Sequence, residues 1–294
     1  MRLSTSTNFF SYRLNGEYTP YKEALLRCKA AGFNVLDVNF CQSINGATDL
    51  AKDNWQELIE DLRNEAEKQG IEFTQSHPVF TRRIDELSAE KQEVYHEMMR
   101  RSIIASSILG VKWAVLHPAP GKAGTEFDID SSIKENLELH AQALELAKTY
   151  NVGIAFENMI ERSGRRFASP ASDLVALIDA CNDPGVGACW DFGHGNFTFK
   201  DQRDQLRTLG KRLKATHVDD NFGKEDEHMF PFHGSVDWHS LLPVLTEIGY
   251  EGDFTFEAHK EFDKLPEHLK DQFAKVGFEL GQYCLSVATK VPAL

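Results

Sequence analysis

The sequence predicts an α/β protein built as one (β/α)8 barrel over residues 1–294. Three observations carry that expectation. Short apolar runs alternate with stretches of helical periodicity about eight times. No linker or break in composition interrupts the alternation. No G-x-G-x-x-G follows any apolar run, which removes the main sign of the rival, a doubly wound open sheet.

Along the chain, the first apolar run is 3–10, and Thr19-Pro20 reads as the cap and first residue of a helix with the stripe Tyr21, Ala24, Leu25 and Cys28. Run 34–40 precedes the stripe Trp55, Leu58, Ile59, Leu62 and Ala66, and run 71–80 precedes Val94, Met98, Ala105 and Ile108. Run 112–117 leads to Ile133, Leu137, Ala141 and Leu144. Run 152–158 leads through a second cap pair, Ser169-Pro170, to Leu174, Leu177, Ile178 and Cys181. Runs 186–191 and 213–218 precede Trp238, Leu241, Leu242, Leu245 and Ile248. Run 253–257 precedes Leu269, Phe273, Val276 and Leu280. Several strands are entered through a residue able to end a helix in the left-handed conformation: Gly32, Gly70, Gly110, Asn151 and Gly249. Buried strands separated by helices mean a parallel sheet.

Composition narrows the function. With 32 basic and 45 acidic residues the net charge is −13, the wrong sign for a protein that neutralises many phosphates, so nucleic acid is disfavoured as a partner. Five scattered cysteines without a C-x-x-C read as reduced thiols. There is no secretory leader pattern and no apolar run of membrane-spanning length, so the expected setting is the cytoplasm, without a membrane partner. Self-association is left open.

Six of the expected strands end in a side chain able to bind metal. These are His77, His117, Glu157, Asp191, His217 and Glu257, one for each βα unit from the third to the eighth. All stand where strands emerge at the catalytic mouth of such a barrel. Alternation aims them inward: Asp253 and Thr255 share a face with Glu257, Gly153 and Ala155 with Glu157, and Cys189 with Asp191. Converging carboxylates repel unless a cation neutralises them, and a His/Asp/Glu set is the ligand mix suited to Zn²⁺, Mn²⁺, Co²⁺ or Fe²⁺. The residues alone leave one or several metals open, and the acidic net charge favours one divalent ion, expected as Mn²⁺, Co²⁺, Zn²⁺ or Mg²⁺.

These residues resemble the xylose-isomerase-like TIM barrels, the sugar phosphate isomerases and epimerases whose superfamily also holds the AP-endonuclease barrels. The matching pieces are Phe156-Glu157-Asn158, Trp190-Asp191-Phe192-Gly193-His194, and His217-Val218-Asp219-Asp220-Asn221. They continue with Asp226-Glu227-His228, Gly234-Ser235-Val236-Asp237-Trp238 and Phe254-Thr255-Phe256-Glu257. One departure is Phe232, where relatives usually carry glycine. The resemblance implies that Glu157, Asp191, His217 and Glu257 hold the metal, with His194 and His228 against the substrate. It further implies that Glu157 and Glu257 act as base and acid on opposite faces of a ketose. His77, His117 and Asp226 are expected to contact substrate hydroxyls.

The expected activity is therefore isomerisation or epimerisation of a small ketose, hydroxy-keto acid or sugar phosphate through an enediolate. Alternatives are an AP-endonuclease-like multi-zinc phosphodiesterase, an inosose-type dehydratase, and a non-catalytic binding barrel. Arg82, Arg83, Arg162, Arg165 and Arg166 stand in loops of the same mouth and could clamp a substrate phosphate. Phe40, Phe80, Phe127, Phe192, Phe222 and Phe230 stand near strand ends as pocket walls or core. Lys211-Arg212 is expected at the opposite, bottom face, and His239 and His259 are read as structural.

Overall fold

Strand and helix alternate along the chain as the periodicity requires. The computed structural model describes residues 1–81, 84–121, 127–161 and 164–289. Its eight strands are β1 (Leu3–Ser6), β2 (Val35–Asn39), β3 (Glu72–His77), β4 (Trp113–Leu116), β5 (Gly153–Glu157), β6 (Val186–Asp191), β7 (Leu213–His217) and β8 (Phe254–Phe256). The order is β7-β6-β5-β4-β3-β2-β1-β8, with every pair parallel. Val218 closes the ring onto Phe256: its amide donates to Thr255 O (2.7 Å) and its carbonyl accepts from Glu257 N (3.0 Å). The fold is a (β/α)8 TIM barrel.

The main outer helices are α1 (Tyr21–Ala31), α2 (Trp55–Gln69), α3 (Ala89–Leu109), α4 (Ile129–Thr149) and α5 (Ala171–Cys181). After β6 come two short ones, α6 (Phe192–Thr198) and α7 (Arg203–Leu209). The ring ends with α8 (Trp238–Glu247), α9 (His259–Asp263) and α10 (Glu267–Ala288). Gly32, Gly70, Gly110, Asn151 and Gly249 all have positive φ at helix ends, as expected.

Three local expectations need correction. Run 3–10 is strand only to Ser6; the Ser6 hydroxyl then accepts from Asn8 N (3.3 Å) and starts a 3₁₀ turn, Thr7–Phe10. Pro20 and Pro170 are themselves the N-cap residues of α1 and α5, with no side-chain cap from either. In α10 the buried face is Ala274, Gly277, Gly281 and Cys284, whereas Leu269 and Val276 are exposed. The barrel wall lies too close for large residues there: a Cβ on Gly277 would meet the Phe230 ring, and one on Gly281 the Leu3 methyls. Val94 of α3 is likewise exposed.

The main core lies between barrel and helices, and includes outward-facing Leu36, Val38, Phe254 and Phe256. A second, small cluster inside the barrel is Val115, Ala155, Cys189 and Ala215, with Trp113 packed against it. Inward glycines make room at the strand starts: Trp113 lies over Gly153, and the Lys214 stem over Gly187. All five cysteines are free. No described helix is long and apolar enough to cross a membrane.

Candidate metal centre

Glu157, Asp191 and His217 are the last residues of β5, β6 and β7, and Glu257 follows β8; all four are buried. Strand parity turns them inward, and one ligand-type atom from each lies within 4.8 Å of the other three. His217 Nδ1 is 3.2 Å from Glu157 Oε1 and 3.3 Å from Glu257 Oε2. The sequence-derived quartet is brought together.

The Asp191-x-x-His194 spacing has a local cause. Asp191 is the N-cap of α6, its Oδ1 accepting from His194 N (2.6 Å), so the cap fixes the turn that carries His194. Asn158 ties β5 to β6 by donating to Asp191 O (2.9 Å) and accepting from Asp191 N (2.6 Å). Its carbonyl also lies 2.8 Å from His194 Nδ1. Asp220 plays an organising part in the next loop, accepting from Val236 N (3.1 Å), Phe232 N (3.1 Å) and Trp238 Nε1 (2.8 Å). Phe232 takes φ +71°, so it keeps the left-handed turn that glycine would make without strain.

Two triads flank the quartet, His77/His117/Glu157 and His194/Asp226/His228. His117 Nε2 lies 2.9 Å from Glu157 Oε2 and 3.0 Å from His77 Nε2. His228 Nε2 is 3.2 Å from Asp226 Oδ1. Lys260 already neutralises the outer triad, with Nζ 3.3 Å from Asp226 Oδ2. These side chains line a cavity of about 350 Å³.

The electrostatics are those of crowded acid. Burial raises Asp191 well above the carboxylate range, and Asp219 beside it adds to the rise. Burial also raises Glu257. Burial would do the same to Glu157, but His217 and His117 pull it well below. Burial opposes charge on His217, yet Glu257 and Glu157 lift it to about 10. His77 is pushed down to about 3 by burial, His117 and His217. Asp191 Oδ2, both Asp219 oxygens and both His217 nitrogens are buried without an aligned hydrogen bond. Lone pairs gathered so, out of hydrogen-bond alignment, fit a divalent cation.

The phosphate clamp is only partly legible. Arg82, Arg83 and Arg162 lie outside the described residues. Arg165 grips Asp173 (2.6 Å to each carboxylate oxygen) over the Phe127 ring, so it is a structural residue, while Arg166 lines the cavity. Of the phenylalanines, Phe80 lines the cavity, Phe40, Phe192 and Phe230 are core, and Phe222 is exposed. His239 bonds Tyr283 (3.0 Å), but His259, read as structural, lines the cavity and shares Asn8 with Glu257 (3.2 and 3.3 Å).

Sequence reasoning passed over Asn8, Cys41, Asp219 and Lys260. Cys41 Sγ lies 3.0 Å from His77 Nδ1. Asp219 Oδ2 lies 2.6 Å from His228 Nδ1, and Gly193 must lack a Cβ to admit that carboxylate. Asp219 stands two residues after inward His217, so the parity that found His217 also reaches it.

Residues 25–274 match the family described as xylose isomerase-like TIM barrel. Among curated relatives, protein y4fM of Sinorhizobium fredii is 31% identical over 107 residues, 36% of this chain and 33% of that protein. A D-psicose 3-epimerase of Enterocloster bolteae is 22% identical over 257 residues, 85% of this chain and 80% of that one. A probable endonuclease 4 of Mesomycoplasma hyopneumoniae is 25% identical over 174 residues, 55% and 61% respectively. The match thus spans only a third of y4fM, the first of these relatives. Among solved structures, the IOLI protein with a bound zinc superposes with TM-score 0.75 at 18% identity over 100% of both chains. A D-tagatose 3-epimerase-like protein superposes with TM-score 0.74 at 18% identity over 98% of both. At these identities the likeness to solved structures is one of fold.

Proposed function

The chain belongs to the xylose isomerase-like TIM barrel family, and from that premise we propose that it is a divalent-metal-dependent isomerase or epimerase of a small ketose, hydroxy-keto acid or sugar phosphate. One observation carries the reading: Glu157, Asp191, His217 and Glu257 converge, buried, on one point at the catalytic mouth. A divalent ion held there supplies Lewis-acid stabilisation of enediolate charge.

The protein supplies the rest. Glu157 and Glu257 reach that point from strand five and from the end of strand eight, so a flat ketose between them has a carboxylate on either face. One removes the proton at the carbon beside the carbonyl, and the other returns a proton to the opposite face. His217 and His117 favour ionised Glu157, while burial opposes charge on Glu257, a charge that a bound cation would favour. His194 and His228 donate to substrate oxygens, and Asn8 holds Glu257 (3.3 Å). Phe80 supplies an apolar wall.

A second reading, a multi-metal phosphodiesterase, is favoured by the two flanking histidine triads. Against it stand the −13 charge and the Lys260 ammonium beside Asp226, where a further dication would sit. The deciding experiment incubates metal-loaded protein with ketoses, hydroxy-keto acids and their phosphates in deuterated water. Metal-dependent deuterium at the carbon beside the carbonyl, with formation of the epimer or isomer, is the expected result. No exchange with any of them, together with phosphodiester cleavage, contradicts the proposal.

A further inference from the structure

The barrel interior beneath the metal centre has two unlike sides. On one side β4 to β7 contribute the small apolar cluster of Val115, Ala155, Cys189 and Ala215. On the other, four consecutive strands around the ring (β7, β8, β1 and β2) contribute buried polar atoms without an aligned hydrogen bond, although the Ser6 hydroxyl lies beside the Asp37 carboxylate. These are His217 Nε2, Thr255 Oγ1, Ser4 Oγ and both oxygens of Asp37. All four residues point inward. Their strand neighbours Phe254 and Phe256, Leu3, and Leu36 and Val38 lie in the outer core, and alternation sends the intervening side chains the other way. Thr255 and Ser4 are register partners, as are Asp37 and Ser6.

Buried polar groups are almost always paired, and a buried water needs two to four polar partners. Here a carboxylate, two hydroxyls and a ring nitrogen share one wall. We propose that Asp37 is a positioning residue of the metal centre, joined through buried water held by Ser4 and Thr255 to the Nε2–H of His217. The carboxylate accepts at the end of that relay, so the Nε2 proton is fixed and Nδ1 faces Glu157 and Glu257 with its lone pair free. Asp37 thus serves the centre without touching substrate.

This inference rests on the metal-dependent reading above, and its test separates the two. Co²⁺ is titrated into metal-free full-length protein and followed by its visible absorption, for wild type, Asp37→Asn and Thr255→Val. Asp37→Asn is expected to weaken Co²⁺ binding about 10- to 100-fold. Its metal-free Tm should stay close to that of wild type, because burial already disfavours the Asp37 charge and the amide keeps an acceptor in its place. Thr255→Val is expected to show the same direction with a smaller loss. In metal-free protein the ¹⁵N resonance of His217 Nε2 should move in both variants. A purely structural Asp37 would lower the Tm and leave Co²⁺ affinity and ring resonance unchanged, which overturns the proposal. If wild type binds no Co²⁺, the enzymatic reading falls, and the His217 resonance alone decides the role of Asp37.

Discussion

At the mouth where the strands begin, Arg2 bonds both Asp253 (3.0 Å) and Glu72 (2.9 Å), and Thr74 donates to Asp253 (2.7 Å). Trp113 and Lys214 lie across that mouth. At the mouth where the strands end, Glu157, Asp191, Asp219 and Glu257 are buried, and among the described residues no lysine or arginine forms an ion pair with any of them. One mouth neutralises its acids from within the chain. The other gathers buried acid and histidine, where a bound cation would supply further compensating charge. Stability is therefore expected to reside at the first mouth and chemistry at the second.

Substitutions at the second mouth sharpen that division most. Glu257→Gln and Glu157→Gln should each lower turnover at least about 100-fold and weaken metal binding, because an amide can coordinate but cannot exchange protons. The metal-free Tm should hold or rise in Glu257→Gln, whose charge burial opposes, and fall in Glu157→Gln, which breaks buried pairs with His117 and His217. Near-normal deuterium exchange in either variant would remove the two-carboxylate mechanism.

Next in size is the reverse case. Asp253→Ala strips Arg2 and Thr74 of their partner and is expected to cost about 1 kcal/mol, modest because Arg2 is half exposed. Melting should fall by about 2–4 °C, with kcat/KM within about twofold of wild type. A large kinetic defect at preserved Tm would break the division.

Acid sensitivity is expected to come partly from neither mouth. His140 on α4 is buried and held by that burial at about 4, against about 6.5 in an unfolded chain. The folded form refuses a proton that the unfolded form accepts, so stability falls as pH drops from 6.5 toward 4. The loss is about 2 kcal/mol between pH 6.5 and 5. Replacing His140 by Phe should flatten the Tm–pH curve over that range and leave metal affinity unchanged. An unchanged slope would assign the acid loss to the mouth instead.

The smallest effect is expected in the loop after β5. Arg166 lines the cavity, so Arg166→Ala should raise KM for a phosphorylated substrate severalfold more than for the free sugar. Arg165→Ala should shift Tm slightly and neither KM, because Arg165 is occupied by Asp173. Equal KM changes for both substrates would remove the phosphate role.

The barrel and the convergence of Glu157, Asp191, His217 and Glu257 were legible because both follow from local rules: period-two alternation sets direction, and the strand end sets height. The left-handed helix ends at Gly32 and Asn151 were readable for the same reason. What stayed hidden depends on contacts between distant segments. Asn8 reaches Glu257 only because a 3₁₀ turn follows β1, and Asp37 looks like one polar residue in an apolar run until the barrel sets it beside Ser6 of β1. The face of α10 was misread because periodicity marks large residues, whereas close approach to β1 and β8 selects small ones. Arg165 could not be separated from Arg166, since the partner Asp173 lies on the next helix.

The division between the mouths, and the choice between isomerase and phosphodiesterase, meet in one quantity, the number of divalent ions per chain. Glu157, Asp191, His217 and Glu257 provide one compact cradle. His77 and His117 can share a ring proton, and Lys260 already faces Asp226. Elemental analysis of purified protein, loaded with excess Mn²⁺, Co²⁺ or Zn²⁺ and then desalted, is expected to give one tightly held ion per chain, lost in Glu257→Gln. A reproducible three per chain, accompanied by cleavage of abasic-site DNA, would contradict the account.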